Sequence, residues 1–258
     1  MRLTTWLVGV ALLVALVLAA RGAAADDPPA APKLSTFAPA SDLVRQTTYY
    51  LGRLEESVAN EKQYKEDQGK VSKDGNTLIL IALALGLDDG KNKYKAAGPG
   101  LMKAGEAAAK ATTFAAAKAA LADAQEAIAS PAAGGAALSW DKASASLPEL
   151  MKQVPLINAR LKRNLRRFAQ KAKDSAGDTA TLAVIAQGSM GAVSQTKKPT
   201  EAAKWFTLCA EMRDAAAAVN KAIHAGDPKS TEKAMKTLAE SCDNCHTVFN
   251  PELVGKPE

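Results

Sequence analysis

The sequence predicts an all-α protein, two four-helix-bundle-like domains in tandem. Three observations lead there. Alanine supplies much of the 47% hydrophobic content while aromatic residues make up only 5%, and alanine-rich sequence favours helices that pack in narrow contact. No stretch alternates apolar and polar with period two; apolar residues recur instead at three- and four-residue spacing. The 258 residues also exceed what one small bundle needs, and two would fit.

The N-terminus precedes this pattern. Arg2 is followed by an uncharged run from Leu3 to Ala20, and Ala23-Ala24-Ala25 ends in small residues before Asp26, as a secretory signal peptide over residues 1–25 requires. The alternative is a retained membrane anchor, since the run nearly reaches spanning length; membrane attachment is expected only in that case. Residues 26–40 are Pro-rich and predict an extended, mobile linker.

Helical periodicity starts at Ser41, with Leu43, Val44, Thr47, Tyr50, Leu51, Leu54 and Val58 on one face. The polar run from Asn60 to Asp74 is expected to end or fray this helix. Asp74 or Asn76 then caps a second one through Leu87. Lys91 to Gly100 reads as a loop, and Leu101 to Ala129 as alanine-rich helix broken near Thr112-Thr113. Residues 41–129 thus make a first helical bundle and 130–145 a linker carrying Trp140.

The second bundle spans 146–250. Ser146-Leu147-Pro148-Glu149 has the form of a capping box with a first-turn proline, and the helix it opens runs to about Lys173, kinked or restarted at Pro155. Asp178 or Thr179 caps the next, which ends near Gly188. A third covers Thr200 to His224, with Trp205, Leu208, Met212, Ala216 and Val219 inward. Asp227-Pro228 then gives an N-cap and first-turn proline for the last helix, and residues 251–258 form a tail. The two sets look duplicated: Gly75 to Ala82 can be laid over Gly177 to Val184, with Gly86 on Gly188, and Arg53-Leu54 on Arg160-Leu161.

The last helix of the second set holds Cys242-Asp243-Asn244-Cys245-His246, the Cys-x-x-Cys-His spacing of a covalently attached c-type haem. On a helix Cys242, Cys245 and His246 project from one face, so two thioethers can tether the porphyrin while the imidazole binds iron. A thioredoxin-like pair is disfavoured by the missing βαβ pattern. A zinc site would have to recruit Cys209 and His224, the only other soft or imidazole donors. Cys209 reads as a small core residue and His224 as a helix C-terminal cap. Ala124 to Ile128 has no Cys or His, so one haem per chain is expected, with the first bundle a haem-free docking or dimerising module.

With these residues in view, the second half resembles the class II cytochromes c, which include the cytochromes c prime. The likeness covers about 146–250 and is strongest in the helix from Trp205 and in Thr231 to Glu240 leading into Cys-Asp-Asn-Cys-His-Thr-Val-Phe. It implies a four-helix bundle with a C-terminal haem motif, maturation outside the cytoplasm (a periplasmic or otherwise exported protein), and a distal methionine from the first helix in six-coordinate members, here Met151. If Pro155 shifts the register, Asn158 or Leu161 faces the iron instead. The family's basic residue four beyond the haem His is replaced by Asn250.

Two functions stay open. Methionine ligation suits an electron carrier serving a redox partner protein; an empty distal side suits a nitric oxide or carbon monoxide binder. The net charge of +6 and the basic run from Arg160 to Lys173 fit an acidic partner. That run holds a single aromatic, Phe168, too few for a base-stacking platform, which argues against nucleic acid. No Ser-His-Asp set or paired-carboxylate site stands out, so no enzymatic activity is expected.

Overall fold

The computed structural model describes residues 27–131 and 137–253; the expected signal peptide (1–25) and most of the expected tail lie outside them. The protein is all-α, with eight helices and no strand among the described residues. In chain order these are α1 (Ala40–Ser57), α2 (Glu61–Leu87), α3 (Gly98–Lys110), α4 (Phe114–Ala129), α5 (Leu147–Leu165), α6 (Phe168–Ser189), α7 (Ala202–His224) and α8 (Pro228–Phe249). Each of α1 to α4 packs on the next, as does each of α5 to α8, and the two halves meet where α1 and α2 lie against α5 and α6. One apolar core runs through the junction, from Leu43 and Tyr50 through Leu80 and Leu83 to Leu150, Ile157 and Val184. No described helix is long and apolar enough to cross a membrane.

Several helix ends differ from the sequence expectation, for two related reasons. Helix α2 starts at Glu61 rather than near Asp74, because the Asn60 side chain accepts the Gln63 N–H at 2.9 Å. The polar run that follows is rich in helix formers and includes a Glu61–Lys65 pair one turn apart. Asp74 is instead fully buried inside α2, paired with Arg53 at 2.8 Å. Likewise α6 begins at Phe168, and Asp178 is an interior residue clamped by Arg160, whose Nη2 lies 2.6 Å from its carboxylate. Thr113 does cap α4 and Asp227 does cap α8. The capping box at Ser146 does not form: the Ser146 N–H donates to Asn76 Oδ1 (2.6 Å) and the Leu147 N–H to Gln195 Oε1 (2.8 Å), so partners from other elements serve these groups.

The two expected linkers are partly built into the protein. Leu34, Phe37 and Ala38 are buried, and the Phe37 ring lies 6.4 Å from that of Trp140 in the second connection. Apolar residues spaced among the prolines seat the segment on the core rather than leaving it extended.

The Arg53–Asp74 and Arg160–Asp178 pairs place the two halves in a register different from that of the glycines. With the aspartates superposed, Asp74-x-x-Thr77-Leu78-x-x-Ile81-Ala82 falls on Asp178-x-x-Thr181-Leu182-x-x-Ile185-Ala186, and both threonines bond the carbonyl four residues back. With the arginines superposed, Asp42-Leu43-Val44-Arg45-Gln46 falls on Glu149-Leu150-Met151-Lys152-Gln153. Asp42 pairs with Arg45 and Glu149 with Lys152, each three residues on. The glycines behave differently: a Cβ on Gly75 would strike the backbone of α3, whereas one on Gly177 would strike the Gln46 side chain of α1.

Candidate haem site

The geometry of the site begins with the start of α8. Asp227 Oδ1 accepts the Ser230 N–H at 3.0 Å and Pro228 occupies the first turn, which fixes where the helix starts. The helix then runs unbroken through the motif, so Cys242, Cys245 and His246 share one face, each half-buried. Phe249, three residues past His246, anchors the end of α8: its ring packs edge-on against Trp205 with centroids 5.0 Å apart. Trp205 in turn donates from Nε1 to the Ser189 carbonyl at 2.8 Å, one of the carbonyls that the end of α6 leaves without a helical partner. One indole therefore ties α6, α7 and α8 together beside the motif.

The motif face closes a small apolar cavity of about 50 Å³. Met151, Val154 and Pro155 border it from α5, Ala186 and Ser189 from α6, and Trp205, Leu208, Cys209 and Met212 from α7. Pro155 has no N–H to offer the Met151 carbonyl, so the helical ladder of α5 is interrupted in the turn that borders the cavity. The expected ligands Cys242, Cys245, His246 and Met151 are thus brought together. Asn158 and Leu161 lie further along α5, Leu161 within the main core, and neither borders the cavity.

Cys209 and Met212 also belong to this lining, which their sequence pattern as inward residues of an apolar helix did not distinguish from ordinary core. Burial pushes the Cys209 thiol well up, and the neighbouring Cys245 adds to it. Burial likewise pushes Cys245 up to about 11, with Glu211 contributing. Both are therefore thiols at neutral pH. His224 is not part of the site: its Nε2 lies 2.8 Å from Asp42 Oδ2, across the junction between the halves.

The residues present suit a covalent haem. Two thiols and an imidazole stand on one side, a thioether on the other, and the walls between them are apolar. The free space is less than the several hundred Å³ that ligand pockets enclose, so entry requires two helices to part. Helix α8 packs extensively on α7, and its contact with α5 is slight. No family model matches the chain, and no curated protein or solved structure matches it either.

Proposed function

We propose that the chain is an exported mono-haem c-type cytochrome of class II type, acting as an electron carrier. The observation that carries this reading is the convergence of Cys242, Cys245 and His246 from α8 with Met151 from α5 on one apolar slot. Cys242 and Cys245 would form the two thioether tethers, His246 would give the proximal nitrogen and Met151 the distal sulfur. Bound there, haem supplies a one-electron ferric/ferrous couple. The chain's contribution is to hold His246 on a helix braced by Trp205 and Met151 on α5 across the slot, and to keep water from the slot with Val154, Leu208 and Met212. A small change of structure between oxidation states is what an electron carrier needs.

The two halves are read as tandem four-helix bundles descended from one duplicated unit, the first having no haem. The repeated Arg–Asp pairs and the match of Asp42 to Gln46 with Glu149 to Gln153 support that descent. Part of the surface of the first half is already used inside the chain, where Asp42 and Tyr50 meet Asn220 and Gln153. It acts as a brace for the haem-carrying half. The motif and the leader together support export to the periplasm or beyond, and a redox protein as partner.

The test has two parts. After extraction with acid and organic solvent, the polypeptide should retain the mass of one haem; a bare mature chain refutes covalent attachment. His246→Ala should then displace the iron spectrum of whatever haem stays attached. The parent should be low-spin and slow to take carbon monoxide, and Met151→Ala should be high-spin and take it readily. A parent that binds carbon monoxide at once, with a spectrum indifferent to Met151→Ala, replaces the carrier reading with a gas-binding one.

A further inference from the structure

The junction between the halves holds a second cavity, of about 450 Å³, at the other end of α5 from the haem slot. Arg163 on its wall is twelve residues beyond Met151, roughly 18 Å along a helix. The basic run seen in the sequence therefore points away from the haem site, and it is joined here by Arg45 of the first half. Six cationic side chains line the cleft: Arg45, Arg160, Arg163, Arg167, Lys171 and Lys173.

Three of the six are neutralised locally. Asp178 grips Arg160, Asp42 pairs with Arg45, and Asp174 lies 2.8 Å from Lys171. Arg163, Arg167 and Lys173 make no ion pair among the described residues, and all three are exposed. Asp174 and Asp178 are the only carboxylates in the lining and Asp42 offsets Arg45 from outside it, so the cleft keeps an excess of about three positive charges, given the usual ionisation of these side chains.

The buried wall of the cleft is unfinished in a way that the internal repeat explains. On the related side of the junction Gln153 donates from Nε2 to the Tyr50 hydroxyl at 3.1 Å and to Asp74 at 3.3 Å. Its counterpart is Gln46, but the position matching Tyr50 is Ile157, which offers no hydroxyl. Gln46 is 5% exposed and lines the cleft. Its buried Oε1 has no hydrogen-bond partner, which is equally true of the Gln153 Oε1; the two amides differ at Nε2, which has two acceptors in Gln153 and none among the described residues in Gln46. A buried amide left this way costs stability unless a further group completes it.

We propose that this cleft binds a small polyvalent oxyanion of the oligophosphate class, with the Gln46 amide donating to it from below and Arg163, Arg167 and Lys173 surrounding it. Guanidinium groups present paired N–H donors that match phosphate oxygens, and arginine makes up most of the lining charge. The cavity is roomy for one phosphate and suits a short chain of two or three. The ligand would touch both halves, since Gln46 and Arg45 belong to α1 and the remaining cations to α5, α6 and the turn between them. This inference is independent of the haem reading.

The test is calorimetric titration of the mature full-length protein with inorganic triphosphate, against sodium sulfate at matched ionic strength. One saturable site is expected. Arg163→Gln combined with Arg167→Gln should weaken it by about tenfold or more and flatten its salt dependence. Gln46→Leu should weaken it several-fold while leaving the salt dependence alone. Far-UV circular dichroism of each variant should match the parent. The proposal is overturned if triphosphate gives no saturation, if the arginine variants bind it like the parent, or if only long acidic peptides bind, which would make the cleft a protein-docking surface.

Discussion

Removing Arg160 should destabilise the protein severely at neutral pH and far less in acid. Asp178 has a side chain only 1% exposed, and Arg160 meets it through contacts of 2.6, 2.9 and 3.1 Å. Arg160→Met leaves that carboxylate buried without its cation, which costs about 3–5 kcal/mol. A domain pair of this size loses about 2–4 °C of Tm per kcal/mol, so a fall of roughly 6–20 °C is expected. The lost stacking of the guanidinium on Tyr49, at 4.5 Å from the ring centroid, adds to this. The double variant Arg160→Met, Asp178→Leu should recover most of the loss, because the penalty belongs to the uncompensated charge.

The pH dependence follows from how the carboxyl is held. Burial raises the Asp178 pKa, and Arg160 opposes that rise. Without Arg160 only the smaller pull of Arg163 opposes burial and Asp174, so the folded-state pKa lies above the unfolded value of about 3.9. An acid of this kind favours the folded state below its unfolded pKa and loses that advantage as pH rises through the folded one. Urea midpoints by circular dichroism should therefore show the variant nearest the parent at about pH 4 and furthest from it at pH 7 and above, where the unfolded carboxyl is ionised. A cost below about 1 kcal/mol at pH 7, or one that is equal at both pH values, would refute the argument.

Two glycine substitutions separate rigid from yielding contacts. A Cβ on Gly75 would sit 2.6 Å from the Ala109 nitrogen, so Gly75→Ala forces α2 and α3 apart and should cost about 1–3 kcal/mol in urea unfolding. On Gly188 it would meet the Leu80 side chain at 2.5 Å, which can turn away, so Gly188→Ala should come within about 1 kcal/mol of the parent, helped by alanine's helix preference. Cys209→Ser should leave one covalent haem by mass, since Cys242 and Cys245 suffice for the tethers; a chain that matures without haem would assign Cys209 a part in attachment.

The all-α class and the placing of Cys242, Cys245 and His246 on one helix face were legible because each rests on local pattern. The periodicity from Leu43 to Val58 and the spacing within Cys242 to His246 need no tertiary knowledge. Both halves misled in the same place. Asp74 and Asp178 look like helix caps, since an aspartate before an apolar run commonly is one, yet each is the interior partner of an arginine from the preceding helix. Only the fold shows that Arg53 and Arg160 reach them. The same long-range pairing corrects the repeat register, because alanine and glycine matches are weak where so many alanines occur. The unpaired Gln46 amide nitrogen was invisible for a different reason: it reflects the absence of a hydroxyl at Ile157, which no motif records.

The halves also differ in how closely their helices approach, and this bears on why only one would hold haem. Ala124, Ala127 and Ile128 in α4 have the spacing of Cys242, Cys245 and His246. Around them the helices are drawn together by small residues. A Cβ on Gly100 of α3 would stand 2.6 Å from that of Ala127, and one on Gly98 would stand 3.0 Å from the Gly86 Cα of α2; such approaches are possible only where a side chain is missing. Tyr94 fills space beside α1, buried to 6% exposure with its hydroxyl 3.3 Å from that of Thr48, the counterpart of Pro155. In the second half Trp205, Leu208 and Met212 stand at the matching place and border the apolar cavity in front of the motif. Grafting the motif as Ala124→Cys, Ala127→Cys and Ile128→His should therefore leave the protein with a single haem when it is matured in a host that attaches haem to the parent. The reason is the surroundings, since the sulfur added in place of Ala127 would press on Gly100 of α3, and the cavity beside it is lined by Lys103, Asp123 and Glu126 rather than by apolar walls. The whole-protein mass reads the outcome directly: the mass of one haem is expected, and the mass of two would show that helix spacing does not decide which half is loaded.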